Sequence, residues 1–177
     1  MKTTKLAILI FVTGVIAITS AYASLLGNQR IAFLRRLSSH VFQGRVEGQR
    51  CYISEDGKRV FTEVSIRILS VIAGTCNETS IDLVTPGGRA NGKTTVVVGM
   101  PRFTNAEEVV VFVKEMPRKS PAEGSRFGLV GLSEGKYSVI TKPNGARVAT
   151  RKGVGSNEVE INLNDLLEEI VAEELHP

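Results

Sequence analysis

Tryptophan is absent from this 177-residue chain, and aromatic residues make up only 6% of it. There are two histidines, His40 and His176, and two cysteines, Cys51 and Cys76. So small a supply of imidazole and thiol excludes a metal centre built on histidine, so no metal and no cofactor are expected. No nucleophile set with its base and no glycosidase-like carboxylate pair is read from the residues, and the chain is expected not to be an enzyme. Glu107 and Glu108 are read as a solvated turn pair whose side chains diverge. Scarce aromatics and expected export also argue against a nucleic-acid partner.

Charge is unevenly spread. The whole chain carries 22 basic and 18 acidic residues. From Ser24 to Lys152 there are 20 basic and 11 acidic residues, a net of +9, whereas Gly153 to Pro177 holds 7 acidic and no basic residues. The acidic tail is expected to dock on, or shield, a basic body, and a basic body also suits an anionic envelope surface. At the other end, Lys2 and Lys5 precede an apolar run from Leu6 to Thr19, and Ala21-Tyr22-Ala23 follows. That is the layout of a secretory leader, residues 1–23, with Ser24 as the expected mature start. The alternative is a retained anchor over residues 6–28, which would be the chain's contact with a membrane. The expected location is periplasmic or extracellular, where a disulfide is permitted. Strand geometry disfavours a Cys51–Cys76 bond. At about 3.3 Å per residue the two fall tens of ångströms apart, far beyond the roughly 7 Å that a disulfide spans between Cα atoms. Asn77-Glu78-Thr79 is a glycosylation sequon, meaningful in a eukaryotic source.

One motif stands out. Gly87-Gly88-Arg89-Ala90-Asn91-Gly92-Lys93-Thr94 matches the phosphate-loop pattern at every defined position. Such a loop works only when it opens a helix whose N-terminus faces the phosphates. Here β-branched Thr94 to Val98 predict a strand instead, and Gly99 and Pro101 would break a helix. The octet is therefore expected to be a hairpin connection, and nucleotide binding is kept as the remotest reading.

Along the chain, Gln29 to Ser38 predicts a short amphipathic helix through Ile31, Phe33, Leu34 and Leu37. Strands are expected at His40–Glu47, with Gly44 a bulge or close approach, and at Arg59–Ile72, around a turn at Glu55-Asp56-Gly57. Further strands are expected at Ile81–Thr85 and Thr94–Val98. The apolar run Val109 to Val113 predicts a strand covered on both faces. Phe127–Leu132, Lys136–Thr141 and Ala146–Thr150 complete the set, the last two joined at Pro143-Asn144-Gly145. Residues 153–157 read as a linker. Leu163, Leu166, Leu167, Ile170, Val171 and Leu175 then share one face of an acidic amphipathic helix, capped by Asn162 or Asn164. The fold class is all-β: an OB-like small β-barrel, or alternatively a β-sandwich, over residues 24–152, with a C-terminal amphipathic helix within 153–177.

The segments His40–Val46, Val60–Gly74, Ile81–Gly88 and Pro101–Phe112 resemble a group of uncharacterised secreted bacterial proteins. Their strand order is similar to the OB-fold barrel of the tissue inhibitors of metalloproteinases and of netrin-type modules. The resemblance covers roughly residues 38 to 141 and implies a binding or inhibitor-like role. In those inhibitors the mature N-terminal residue is a cysteine that binds the protease metal. Here the expected start is Ser24, so no functional residue carries over.

Loops on a rigid barrel carry recognition. The expected contact residues are therefore Arg89 and Lys93 in the Gly-rich loop, Met100, Arg102 and Phe103 in the elbow 99–103, and Arg118 and Lys119 in the basic loop 117–126. The expected function is an exported non-enzymatic binding or inhibitor-like module for a protein not identified by sequence. The alternative is an envelope structural or accessory protein held through its basic surface.

Overall fold

The computed structural model describes residues 30–117, 125–153 and 158–175. The leader, Ser24, Arg118, Lys119, residues 154–157 and His176 lie outside the described residues.

The run Val109 to Val113 organises the molecule. It is the middle of strand β6 (Glu108–Glu115), and all five side chains are fully buried. Successive strand residues point to opposite faces, so the run supplies two separate cores. Val109, Val111 and Val113 enter the barrel with Phe42, Val64, Ile66, Leu83 and Phe127. Val110 and Phe112 face outward and pack with Ile31 and Leu34 of helix α1 (30–37) and Leu166 and Ile170 of helix α2 (Leu163–Leu175). Two helices over the outer face are why this strand carries no polar side.

The barrel consists of β1 (His40–Ile53), β2 (Val60–Ala73), β3 (Ser80–Pro86), β6 and β7 (Arg126–Leu129). Their order is β1-β2-β3-β7-β6, and a further pairing of β1 with β6 closes the ring. All pairings in it are antiparallel except β3 with β7, which is parallel. A closed five-stranded ring of this kind is an OB-type small barrel rather than a sandwich. β6 serves two neighbours on its second side: Val113 to Glu115 pair with β7, and Glu108 to Val111 pair with β8 (Lys136–Thr141). From there the sheet continues through β9 (Arg147–Lys152) and β10 (Glu158–Asn162).

β1 and β2 curl tightly enough to close the ring because their register slips at three places, one of them between Gln43 and Gly44. A Cβ on Gly44 would stand 2.8 Å from the Arg67 carbonyl oxygen and 2.5 Å from the Ile66 side chain. Only glycine lets the two backbones come this close. The expected bulge is present. β1 itself runs on to Ile53, beyond the expected end at Glu47, because β2 pairs with it as far as Val60. Both cysteines are free, as strand geometry indicated. Cys51 stands opposite Thr62 near one end of β2, while Cys76 follows the other end.

Three elements differ from expectation. The strand expected over Thr94–Val98 stops at Thr95. β5 (Lys93–Thr95) pairs only with β4 (Gly88–Ala90), and beyond Thr95 no partner strand continues. β-branched residues favour a strand only where a neighbour supplies the ladder, and Val96 is left 83% exposed. In helix α1, Ile31 and Leu34 are buried, but Phe33 and Leu37 face solvent. The acidic tail contributes β10, an unexpected strand, paired with β9 along all five residues. α2 follows at once, with Asn162 Oδ1 accepting the Asn164 amide at 2.9 Å as its cap. Leu163, Leu166 and Ile170 of its apolar stripe are buried in the core, and Leu167 packs partly against it.

Candidate binding site

Two clefts open at one end of the barrel, and the elbow Gly99–Phe103 is the ridge between them. The first, about 440 Å³, lies between the elbow and the β4–β5 hairpin. The second, about 360 Å³, lies between the elbow and strands β8 and β9. Met100, Pro101 and Arg102 line both.

The hairpin is built by Asn91 and Gly92, whose positive φ values of 46° and 78° make a two-residue turn that follows strand twist. The phosphate-loop octet thus forms β4, this turn and the start of β5, and opens no helix. Lys93 is turned away from the first cleft, where its Nζ donates to the Gly57 carbonyl at 2.6 Å and ties the hairpin to the β1–β2 turn. Arg89, in contrast, lines the first cleft, together with Val96 and Val97 from the connection after β5.

Of the expected contact residues, the structure therefore gathers Arg89, Met100, Arg102 and Phe103 around one cleft, and Lys93 stands apart. Phe103 needs correction as an exposed contact. It is 7% exposed and belongs to the barrel core. The chain turns inward after Arg102, and the ring plugs the barrel end beneath the cleft floor. Arg118 and Lys119 lie outside the described residues.

Behind the ridge is a polar cluster that sequence reading missed. Lys136 is 8% exposed, and its Nζ donates to Glu107 Oε1 at 2.6 Å and to the Arg102 carbonyl at 2.7 Å. The same Nζ lies 5.0 Å from the centre of the Phe103 ring. Ser138 Oγ donates to Glu107 Oε1 at 2.6 Å, and the Thr104 amide donates to Glu107 Oε2 at 2.9 Å. Burial pushes the Glu107 carboxyl up, but the bonds from Lys136, Ser138 and Thr104 outweigh it and hold the group below its ordinary value. Glu107 and Glu108 are thus not solvated. Glu108 takes Gln43 Nε2 at 2.7 Å and pairs with Arg45 and Arg147. The residues diverge as expected for neighbours entering a strand, yet each finds a buried partner, Lys136 for Glu107 and Gln43 for Glu108. A period-two reading of β8 offered one signal, since Lys136 and Ser138 share a face.

A second missed pattern is Gly131-Leu132-Ser133-Glu134-Gly135, which has the spacing of a serine-nucleophile turn. It forms a four-residue 3₁₀ helix (Leu132–Gly135) after β7, with Ser133 buried and its amide donating to the Gly99 carbonyl at 2.9 Å. Its basic neighbour Lys136 is committed to Glu107 and Arg102. His40, the histidine among the described residues, bonds Ser39 and the Thr75 carbonyl and packs against Phe42 and Phe127 in the barrel. Through the Ser133 amide the turn anchors the elbow.

On the opposite face of β9, the Arg151 guanidinium lies 5.4 Å from the centre of the Tyr137 ring and pairs with Glu134. Burial, reinforced by Glu169 of α2, pushes the Tyr137 phenol up to about 12.

Fold and site together define a small barrel with a clefted end and a fixed, cation-bearing ridge. Compared with protein-family models, curated proteins and solved structures, the chain matches none.

Proposed function

We propose that the protein is an exported, non-enzymatic binding module that engages a protein partner through the elbow end of its barrel. The observation that supports this is the first cleft. It combines exposed Arg89 and Arg102 with apolar Val96, Val97 and Met100, over a floor closed by Phe103. Apolar contact flanked by arginine is the composition of interaction surfaces. Anchoring by Lys136 and Ser133 keeps the elbow in one conformation, which limits the ordering cost of association. The partner proposed is a protein segment bearing carboxylates and an apolar side chain.

Affinity capture with the full chain tests this against two variants, Arg89→Glu with Val96→Asp, and Arg36→Glu on the exposed side of α1. A partner retained at high salt, lost with the first variant and kept with the second, is the expected result. A partner captured equally by both variants defeats the reading. Capture of envelope material that disappears as salt rises instead favours attachment through the basic surface.

A further inference from the structure

The second cleft has a different chemistry from the first. Four polar residues that are more than nine-tenths buried line it: Ser133, Lys136, Thr150 and Arg151. Ser138 stands beside Thr150, its cross-strand partner, and Arg102 and Lys152 form an exposed cationic rim. No carboxylate is among the lining residues. Arg151 is one of the four, but strand alternation and its contacts with Tyr137 and Glu134 place its charge on the other face.

We propose that this cleft binds a phosphate group carried on a small molecule. Two of the three N–H groups of Lys136 are directed to Glu107 and Arg102, and a phosphate oxygen takes the third. The Ser133 and Thr150 hydroxyls donate from either side, and Arg102 and Lys152 close over the group from the rim. Glu107 lies beneath and offsets the charge of Lys136, so the rim cations supply the net attraction. Two acids stand on the same face of the sheet, Glu160 as the cross-strand partner of Thr150 and Glu158 as that of Lys152; Glu160 is paired with Lys142, and Glu158 is exposed at the outer side of the rim. Hydroxyl and amine donors supplied by the 3₁₀ turn, β8 and β9 suit a tetrahedral oxyanion, which offers more acceptor oxygens than a carboxylate. The volume of about 360 Å³ exceeds that of the anion alone and leaves room for the small molecule that carries it.

The test is calorimetric titration of the full chain with inorganic phosphate and with glucose 6-phosphate, against chloride and acetate at matched ionic strength. Saturable binding of both phosphates, with no response to chloride or acetate, is expected. The double variant Arg102→Gln/Lys152→Gln alters exposed side chains only and is expected to weaken phosphate binding by about tenfold or more. Thr150→Val should weaken it further, and Arg89→Glu, in the other cleft, should leave it unchanged. A response to chloride equal to that to phosphate overturns the proposal, as does unaltered binding by the double variant. Vesicles of a phosphomonoester lipid distinguish the source of the group. Binding that soluble phosphate displaces supports the site and assigns a headgroup, whereas vesicle binding that phosphate cannot displace, without binding of the soluble phosphates, overturns it.

Discussion

Replacing Lys136 with methionine removes the cation that satisfies Glu107 and leaves most of the packing against Phe103 in place. Loss of one partner from a fully buried ion pair costs about 3–5 kcal/mol, because the other charge is left uncompensated. Here Glu107 retains the Ser138 hydroxyl and the Thr104 amide, and its side chain is 17% exposed. The expected loss is therefore smaller, about 2–4 kcal/mol. At about 2–4 °C per kcal/mol for a chain of this size, Tm should fall by roughly 5–15 °C. Far-UV circular dichroism in a urea series measures it, since there is no tryptophan to follow. The double variant Lys136→Met/Glu107→Leu should recover about half of the loss or more, because it removes the stranded charge. The carboxyl also sets a pH dependence. Its folded-state pKa is depressed, so its contribution is present above the unfolded value and is lost as pH falls through the folded one. Glu107→Gln should flatten that acid limb. If Lys136→Met unfolds within about 0.5 kcal/mol of the parent, the pair is solvated and the reasoning fails.

Three further outcomes test the architecture. Phe103→Ala should cost about 3–5 kcal/mol by urea unfolding, since the ring closes the barrel end; a surface contact would cost a few tenths. Ile170→Ala in α2 should cost about 2–5 kcal/mol, and a change under about 0.5 would show that the helix does not cover Val110 and Phe112. Gly44→Ala should destabilise by about 1–3 kcal/mol through collision with the Arg67 carbonyl, which two-dimensional NMR would register as shifts along both β1 and β2.

Much of the barrel was legible in the residues. Val109 to Val113 announced a doubly covered strand because no polar residue interrupts it, and Gly44 announced the close approach because nothing larger fits. The Pro143-Asn144-Gly145 turn and the stripe through Leu163, Leu166 and Ile170 were equally local. The hairpin reading of Gly87 to Lys93 came from β-branched residues where a phosphate loop needs a helix. The misses share a cause. Thr94 to Val98 has strand propensity throughout, but its partner β4 is three residues long. Phe103 lies in a Pro- and Gly-bearing elbow, where the local pattern says surface. Glu107 looks like any charged turn residue, since its partner Lys136 comes 29 positions later in the chain.

The sequence by itself determined what depends on neighbours along the chain: strand against helix, turn chemistry, apolar faces and the balance of charge. Tertiary structure alone decided which strands share an edge, that β1 meets β6 to close the ring, and that the elbow divides two clefts of different chemistry. The physical reason is range. Periodicity and backbone preference act over a few residues. The Lys136–Glu107 pair, the plugging of the barrel by Phe103 and the gathering of Ser133, Lys136 and Thr150 depend on segments that meet only after the sheet has curled on itself.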